Sequence, residues 1–262
     1  MALLDVAARI AADRRQQLIA ELRAVYVHHG LEREADAWEE HCRRECEKRG
    51  VIFEAVRVRV QRSGDGIEAA ARDVRYRALA QYALKSGCSI IMTAHHEDDR
   101  IETFLLQWMR GAGLEGLAAF PEVRELAAPS MEDAKAVQAR KQVFLLRPWS
   151  GVLRRDIERY VKNRRIPYVD DPSNNSPKYD RNRVRSEIIP RLEAIRPGFS
   201  ASAARSVGLI GEALEVLKSV ARADLEACRS ETMPHGLSVY RLLELIPVSY
   251  THLRAHETCA DL

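Results

Sequence analysis

The sequence lacks the features that would place it in a membrane or in an oxidising compartment. No apolar run approaches the length of a bilayer-spanning helix. The start, Met1–Asp5, has no basic segment of the kind that opens a secretory signal. The cysteines number five, an odd count without a Cys-x-x-Cys pair, which argues against a zinc ribbon and against a disulfide framework. These absences predict a cytoplasmic protein.

Basic residues are plentiful but unevenly distributed. The formal net charge of +3 over 262 residues is too small to identify a partner. However, residues 140–165 hold nine basic side chains and two acidic ones, and a second basic group follows in residues 178–191. A charged run is usually a solvated helix face. Two such blocks on either side of a polar loop favour binding of a polyanion.

Strand-like and helix-like segments alternate through the first two thirds of the chain. This alternation predicts an α/β fold with right-handed βαβ units, a Rossmann-like parallel sheet flanked by helices, and a helical linker segment after it. The polar segment 127–141 is expected to be a surface excursion, and 167–177 a loop. The predicted strands are 22–27, 51–58, 89–92 and 143–146, and the predicted helices are 2–20, 34–49, 67–86, 97–110, 152–163, 179–194 and 200–228.

Residues 93–103 crowd titratable groups directly after a predicted strand. In a parallel sheet this strand-to-helix turn lies at the carboxyl edge, where ligands bind. The acids alone could simply complement the macrodipole at a helix N-terminus, but two adjacent histidines remain unexplained. Carboxylates suit magnesium, whereas a zinc site would need a further soft ligand. The candidate ligands are His95, His96, Asp98, Asp99 and Glu102.

Three further motifs add chemistry-bearing residues. The glycine-rich turn at 110–113 ends a helix and could let backbone approach a ligand closely. On the helix 67–86, Arg72 and Arg75 would present guanidinium groups to phosphate or carboxylate, or form ordinary salt bridges. The block from Asp171 favours an Asx-type turn. It is followed by Arg181 and Arg185 on one helix face, a spacing that suits polyanion recognition.

Together these motifs resemble those of the tRNA(Ile)-lysidine synthetases, a group of PP-loop ATP pyrophosphatases. The resemblance covers about residues 1–247. It rests on Val-Tyr-Val-His-His-Gly-Leu at 25–31, Ala-Arg-Asp-Val-Arg-Tyr at 71–76, Ala-His-His-Glu-Asp-Asp-Arg-Ile-Glu-Thr at 94–103, Arg-Gly-Ala-Gly-Leu-Glu-Gly-Leu at 110–117, and Asp-Pro-Ser-Asn at 171–174 followed by Arg-Asn-Arg-Val-Arg at 181–185.

The resemblance implies a cytosolic enzyme that uses ATP, Mg²⁺ and free L-lysine to modify the wobble cytidine of the tRNA(Ile) with a CAU anticodon, releasing AMP and diphosphate. A homodimer is among the assemblies to test. The implied catalytic residues are His95, His96, Asp99 and Arg110, with Asp99 also the magnesium ligand. The implied ATP-binding residues are His29, Arg72, Gly111 and Gly113, and the implied lysine- and tRNA-binding residues are Asp171, Asn174, Arg181, Asn182 and Arg185.

The resemblance also implies a domain organisation. Residues 1–195 would form the PP-loop domain without its first strand and phosphate loop. Residues 196–247 would form a helical linker and the start of a tRNA-binding domain, and 248–262 resemble a non-native tail. The family's Ser-Gly-Gly-x-Asp-Ser loop does not occur in the sequence. We therefore expect little lysidine formation from the chain as written, and ATP-dependent incorporation of lysine would refute this expectation.

Three other functions remain open at this point. A tRNA thiolase would activate its target in the same way, but it typically needs paired cysteines, which Cys42, Cys46 and Cys88 do not provide. A non-catalytic remnant that binds tRNA or nucleotide would not need the phosphate loop. A metal-dependent phosphoesterase could be built on the histidines and aspartates of residues 95–99.

Overall fold

The computed structural model describes residues 1–13, 19–30, 34–59, 67–126, 142–171, 176 and 179–229. The chain divides into two compact units. The first comprises Met1–Asp99 and Pro121–Lys178, and the second comprises Arg100–Phe120 and Tyr179–Leu262. In the described ranges, none of the helices combines the length and the apolar character that crossing a bilayer requires.

The helices and strands follow the predicted order closely. α3 and β5 have the predicted bounds. The other predicted strands and most of the other predicted helices are confirmed to within about two residues at each end. The elements are α1 Ala2–Ala12, β1 Arg23–His28, α2 Ala35–Glu47, β2 Ile52–Arg57, α3 Ile67–Ser86, β3 Ile90–Met92, α4 Glu97–Met109, α5 Leu114–Leu117, β4 Val123–Leu126, β5 Val143–Leu146, α6 Arg154–Arg164, α7 Asp180–Arg183, a π-helical turn Val184–Ile188, α8 Ile189–Ile195 and α9 Phe199–Ala227.

The strands of the first unit form two sheets. β1 and β2 are parallel, with Arg23 opposite Ile52 and His28 opposite Arg57. β3 and β5 are also parallel, which confirms the parallel α/β architecture. β4 adds an antiparallel edge to β5 and was not predicted, because its sequence, Val-Arg-Glu-Leu, is short and half charged.

The core of the first unit lies between α3 and the β3–β5–β4 sheet. Ala80 and Ala83 of α3 pack with Leu126, Val143 and Leu145, and these five side chains are almost fully buried. Small residues on α3 let the helix approach the sheet closely, and the branched residues of the strands fill the space between them. This packing holds the carboxyl end of β3 in place.

A buried carboxylate ties α1 to α6 and to the turn that follows α2. Asp5 lies 3.1 Å from Arg49 Nε and 3.3 Å from Arg164 Nε, and it accepts a hydrogen bond of 2.7 Å from Tyr160 Oη. Burial raises the pKa of Asp5, but the hydrogen bonds from Tyr160 and Arg49 and the positive charges of Arg49 and Arg164 outweigh it, so the net pKa is below the usual value.

The second unit packs around α4 and α9. Ile101 and Leu105 of α4 meet Val184 and Ala203 in a buried cluster. α5 lies against α9, where Lys218 Nζ is 3.4 Å from a Glu115 carboxylate oxygen. α4 therefore packs through Ile101 and Leu105, whereas Trp108 on the same helix is 63% exposed.

Two predicted helices differ from the structure. The helix predicted for residues 2–20 ends at Ala12, and Asp13 is extended; residues 14–18 lie outside the described residues. The helix predicted for 179–194 is interrupted by a π-helical turn, because Pro190 has no N–H for the carbonyl four residues earlier.

Candidate functional site

The His-His-Glu-Asp-Asp segment lies where it was predicted, between β3 and α4. Thr93 still follows the sheet, since its N–H donates to Leu146 O at 3.0 Å. His96 forms a parallel bridge with Trp149, just beyond β5. His95 Nδ1 lies 2.9 Å from Thr93 Oγ1, which orients its ring. The segment is therefore held at the carboxyl edge of the parallel pair β3–β5.

The two aspartates of this segment each cap a helix. Asp99 Oδ2 accepts a hydrogen bond of 3.0 Å from the N–H of His96, the residue that precedes α4. In a capping box, the side chain of the third helical residue accepts a hydrogen bond from the N-cap N–H. Asp99 makes this bond to the N-cap residue His96. Asp98 Oδ2 accepts a bond of 2.8 Å from the N–H of Arg154, the first residue of α6. Both aspartates therefore place negative charge at a helix N-terminus, which explains their presence in part by the helix macrodipole.

The ring of His96 lies between these carboxylates. Its Nδ1 is 3.6 Å from Asp98 Oδ2 and its Nε2 is 3.5 Å from Asp99 Oδ2. These separations are too long for good hydrogen bonds, so the attraction is mainly electrostatic. Burial opposes ionisation of Asp98, but the His96 ring and the N–H of Arg154 outweigh it and keep the pKa of Asp98 below its usual value. Asp98 therefore stays charged beside His96.

A second cluster surrounds the predicted site residue His29, where β1 ends. Gly30 has φ +67°, and its N–H donates to His28 Nδ1 at 3.1 Å. Because Nδ1 accepts, the proton of the neutral ring belongs on Nε2, which lies 3.1 Å from Asp36 Oδ1. His29 Nε2 accepts a bond of 3.3 Å from Arg75 Nε. Burial, the charge of Arg75 and His28 lower the pKa of His29, so this ring is neutral at pH 7.

Three side chains near this turn resemble a metal site by distance alone. His28, Asp36 and Glu39 bring potential ligand atoms within 4.8 Å of one another. However, the lone pair of His28 faces Gly30 rather than the carboxylates. Arg57 Nη2 also lies 3.3 Å from Asp36 and 3.5 Å from Glu39, and it already neutralises them. We interpret this group as an ion-pair cluster.

Arg72, predicted to bind the nucleotide, is exposed on α3 and lies over an aromatic ring. Its Cζ is 5.3 Å from the centroid of Tyr76, a cation–π distance. The neighbouring Arg147 is only 1% exposed and donates to Pro121 O at 2.7 Å. Burial lowers the pKa of Arg147, although Tyr76 opposes this. Arg72 therefore contacts the Tyr76 ring while its side chain stays at the surface.

In the second unit, the predicted tRNA-binding arginines converge on Glu102, which was predicted only as a candidate metal ligand. Glu102 is 0% exposed. Arg185 donates to it from Nε at 2.6 Å and from Nη2 at 3.0 Å, a bidentate pair. Arg181 Nη2 donates to Thr103 Oγ1 at 2.8 Å, and its Nε lies 3.7 Å from Glu102. The sequence carried a signal for this ion pair, because Glu102 lies next to the apolar residues Ile101 and Leu105 of one helix. A carboxylate that is buried beside such residues requires a cationic partner.

The glycine-rich turn that follows α4 has the predicted form. Gly111 has φ +71°, a conformation that glycine adopts without strain, and it ends the helix. Gly113 precedes α5 in extended conformation, and Arg110 is exposed. A Cβ on Gly116 would lie 2.6 Å from the Cβ of Ala112, so this position also needs glycine.

The structure thus distributes the predicted residues over both units. In the first unit, Asp171 is half-buried, whereas Asn174 lies outside the described residues, together with residues 172, 173, 175 and 177 of the predicted loop. Asn182, in the second unit, donates its N–H to Tyr179 O at 3.0 Å within the first turn of α7. The first unit holds His29, Arg72, His95, His96, Asp99 and Asp171, and the second holds Arg110, Gly111, Gly113, Arg181, Asn182 and Arg185.

Comparison with known proteins gives one family and consistent relatives. The model of the PP-loop domain family matches residues 1–192. A tRNA(Ile)-lysidine synthase of Pseudomonas syringae pv. tomato is 40% identical over 247 residues, covering 94% of this chain and 51% of that protein. The tRNA(Ile)-lysidine synthase of Ralstonia nicotianae is 42% identical over 203 residues, covering 77% and 40%. The chain thus spans about half the length of the curated relatives it matches.

A solved structure supports the fold independently. The U34-tRNA thiolase NcsA from Methanococcus maripaludis, which carries a [4Fe-4S] cluster, superposes with a TM-score of 0.59. The superposition covers 80% of this chain and 69% of the thiolase at 16% sequence identity. At that identity the likeness concerns the fold alone.

Proposed function

We propose that this chain, which belongs to the PP-loop domain family, carries the ATP-dependent activation and ligation steps of a tRNA(Ile)-lysidine synthase. The observation that carries the proposal is about 40% identity to such enzymes over most of the chain. The His-His-Glu-Asp-Asp segment at the carboxyl edge of β3–β5 supports it, because nucleotides bind at this edge in α/β sheets.

The proposed reaction has two steps. The C2 oxygen of the wobble cytidine attacks the α-phosphorus of ATP, and diphosphate leaves. The lysine side-chain amine then forms a bond to C2, the C2–O bond breaks, and AMP carries the oxygen away. Adenylation is needed because the C2 oxygen is otherwise a poor leaving group. The target base must also be unstacked from the anticodon loop before it can react.

We assign the first-unit residues to the nucleotide. His95 and His96 lie beside the phosphates of ATP, where hydrogen-bond donors offset developing charge. Asp99 offers carboxylate oxygen, the ligand type that magnesium prefers, and bound magnesium would neutralise phosphate charge. The neutral ring of His29 and the guanidinium of Arg72 contribute to ATP binding, and Asp171 with Asn174 contributes to lysine and tRNA binding.

We assign the second-unit residues separately. Arg110 supplies positive charge to the reaction, and Gly111 and Gly113 allow backbone N–H groups to approach the nucleotide. Arg181, Asn182 and Arg185 serve lysine and tRNA. Because Glu102 engages Arg185 through both of its oxygens, we propose that Arg181, which is more exposed, offers the more accessible charge.

A sulfur-transfer reaction is less well supported by the cysteines. Cys46 is buried, and burial raises the pKa of its thiol to about 11, so it is not a thiolate at neutral pH. Cys42 is four residues away on α2, and its pKa is also raised by burial. Among the described residues, Cys42, Cys46 and Cys88 form no disulfide with one another.

The test is lysidine formation on a tRNA(Ile) transcript with a CAU anticodon, detected by mass spectrometry of its nucleosides. The chain is assayed alone and as a chimera in which residues 1–229 replace the matching segment of the Pseudomonas syringae relative. We expect the chimera to form lysidine only with both ATP and lysine. A chimera that binds ATP and tRNA but forms no lysidine would overturn the proposal.

Asp99→Asn is the most informative site variant of this chimera. Its amide oxygen can still accept the hydrogen bond from His96, so the helix cap is kept while the negative charge is lost. We expect at least a hundredfold lower rate, about 3 kcal/mol of transition-state stabilisation. The matched control is Asp73→Asn on the exposed side of α3, which should leave the rate unchanged.

A further inference from the structure

Helix α6 packs one side against the rest of the first unit and exposes the opposite side to solvent. On the inner side Ile157 is half-buried, Tyr160 donates to Asp5, and Arg164 pairs with Asp5. At about 100° per residue these three positions of α6 share one side of the helix. The opposite side carries three exposed basic residues, spaced by four and three positions: Arg155, Arg159 and Lys162.

The acidic residues of α6 do not neutralise this outer side. Glu158 is occupied by Arg154, which donates from Nε at 2.8 Å. Asp156 lies 3.3 Å from Arg159, so this arginine is partly compensated. Within the described part of the chain, neither Arg155 nor Lys162 takes part in an ion pair. α6 as a whole has five basic and two acidic residues, so a surplus of positive charge remains on the exposed side.

Another helix of the same unit shows that this surplus is a local property. α2 has five acidic residues and two basic ones. Both of its basic side chains are paired, since Arg43 and Arg44 lie 3.7 Å and 3.9 Å from Glu40. The cations of α2 are therefore neutralised by a neighbour one helical turn away, whereas Arg155 and Lys162 of α6 have no ion-pair partner among the described residues.

We infer that the Arg155–Arg159–Lys162 side of α6, the α6 basic face, binds the sugar-phosphate backbone of tRNA. This inference rests on the proposed function, because tRNA is the polyanion it takes. At 1.5 Å per residue the three charges extend over about 10 Å. An extended row of flexible cations suits a repeating chain of phosphates, whereas a small anion would need donors that converge on one point. Phosphate contacts hold an RNA in position without reading its sequence.

The experiment measures binding of a fluorescent, unmodified tRNA(Ile) transcript to the full chain by anisotropy, in KCl from about 50 to about 200 mM. The variant Arg155→Ala/Lys162→Ala is expected to bind about tenfold more weakly at low salt. The slope of log affinity against log salt should fall by about 1 to 2, because each lost phosphate contact releases about one counterion fewer. Arg155→Lys/Lys162→Arg, which keeps both charges, should bind like the unchanged chain.

The matched control is Arg44→Ala/Lys85→Ala, which also removes two exposed charges from the first unit. It should leave the salt slope unchanged. If the α6 variant keeps its affinity and slope while the unchanged chain binds tRNA in a salt-dependent way, the α6 basic face is wrong and the proposed function stands. If the unchanged chain binds tRNA no better than it binds polyglutamate, both are overturned. Because these side chains are exposed, circular dichroism should show the same melting temperature for all variants.

Discussion

Replacing Glu102 by glutamine tests the most deeply buried charge pair of the second unit. Glu102 is 0% exposed and holds Arg185, which is 29% exposed, through two hydrogen bonds of 2.6 Å and 3.0 Å. Breaking a fully buried pair costs about 3–5 kcal/mol. The partial exposure of Arg185 lets water solvate the guanidinium that remains, and glutamine keeps one acceptor. We therefore expect a loss of about 2 kcal/mol, or about 4–8 °C in melting temperature.

The measurement is urea unfolding followed by circular dichroism, with Glu115→Gln as the matched control. Glu115 also pairs with a cation, Lys218, but it is 77% exposed, so its loss should cost less than about 1 kcal/mol. The double variant Glu102→Gln/Arg185→Met should be more stable than the sum of the single losses predicts, because it leaves no uncompensated charge. Equal stabilities for Glu102→Gln and Glu115→Gln would refute the reasoning.

Three further predictions concern the first unit. The pKa of Asp5 is lowered in the folded state, so its ion pairs stabilise the chain fully above the unfolded pKa of about 3.9 and lose this effect as the pH falls through the folded value. Asp5→Asn should therefore cost about 1–2 kcal/mol at pH 7 in chemical unfolding, and this deficit should shrink as the pH falls below the unfolded pKa. A deficit that stays the same over that range would contradict this. Gly30→Ala should destabilise by about 1 kcal/mol, because its φ of +67° is unfavourable for a residue with a Cβ. A Cβ there would meet nothing within 4 Å, so the loss would come from the backbone conformation and not from a steric clash. Gly208→Ala inside α9 should instead stabilise slightly, and equal melting temperatures for the two variants would rule this out. In NMR titrations His29 should titrate below its usual pKa, and Arg75→Met should raise that pKa by removing the adjacent positive charge; no change in the His29 titration would contradict the assigned contact.

Much of the fold could be predicted because its signals are local. The bounds of α3 coincide with the prediction, since apolar residues at helical spacing continue through it and Gly87 ends it with φ +73°. The strand-to-helix turn at His95 and His96 followed from a short apolar strand next to an amphipathic helix. β4 was missed because an edge strand of four residues, half of them charged, has too little periodicity to detect.

The positions of the candidate residues were predictable, but their contacts were not. His95 and His96 were proposed from their position after β3, and Arg181 and Arg185 from their spacing. The pairing of Arg185 with Glu102 joins residues 83 positions apart, and no local pattern connects them. Asp98 likewise caps α6 through an N–H 56 positions away.

The amino-acid order by itself determined which segments become helices and strands, and which of them carry titratable groups. These properties depend on backbone propensities and on apolar periodicity within about 20 residues, which any short window of sequence contains. Tertiary structure alone decided which charges are neutralised and which remain exposed. Asp5, Asp98 and Glu102 bind partners that packing brings close, whereas Arg155 and Lys162 form no ion pair with a described carboxylate, because the side of α6 that carries them is exposed.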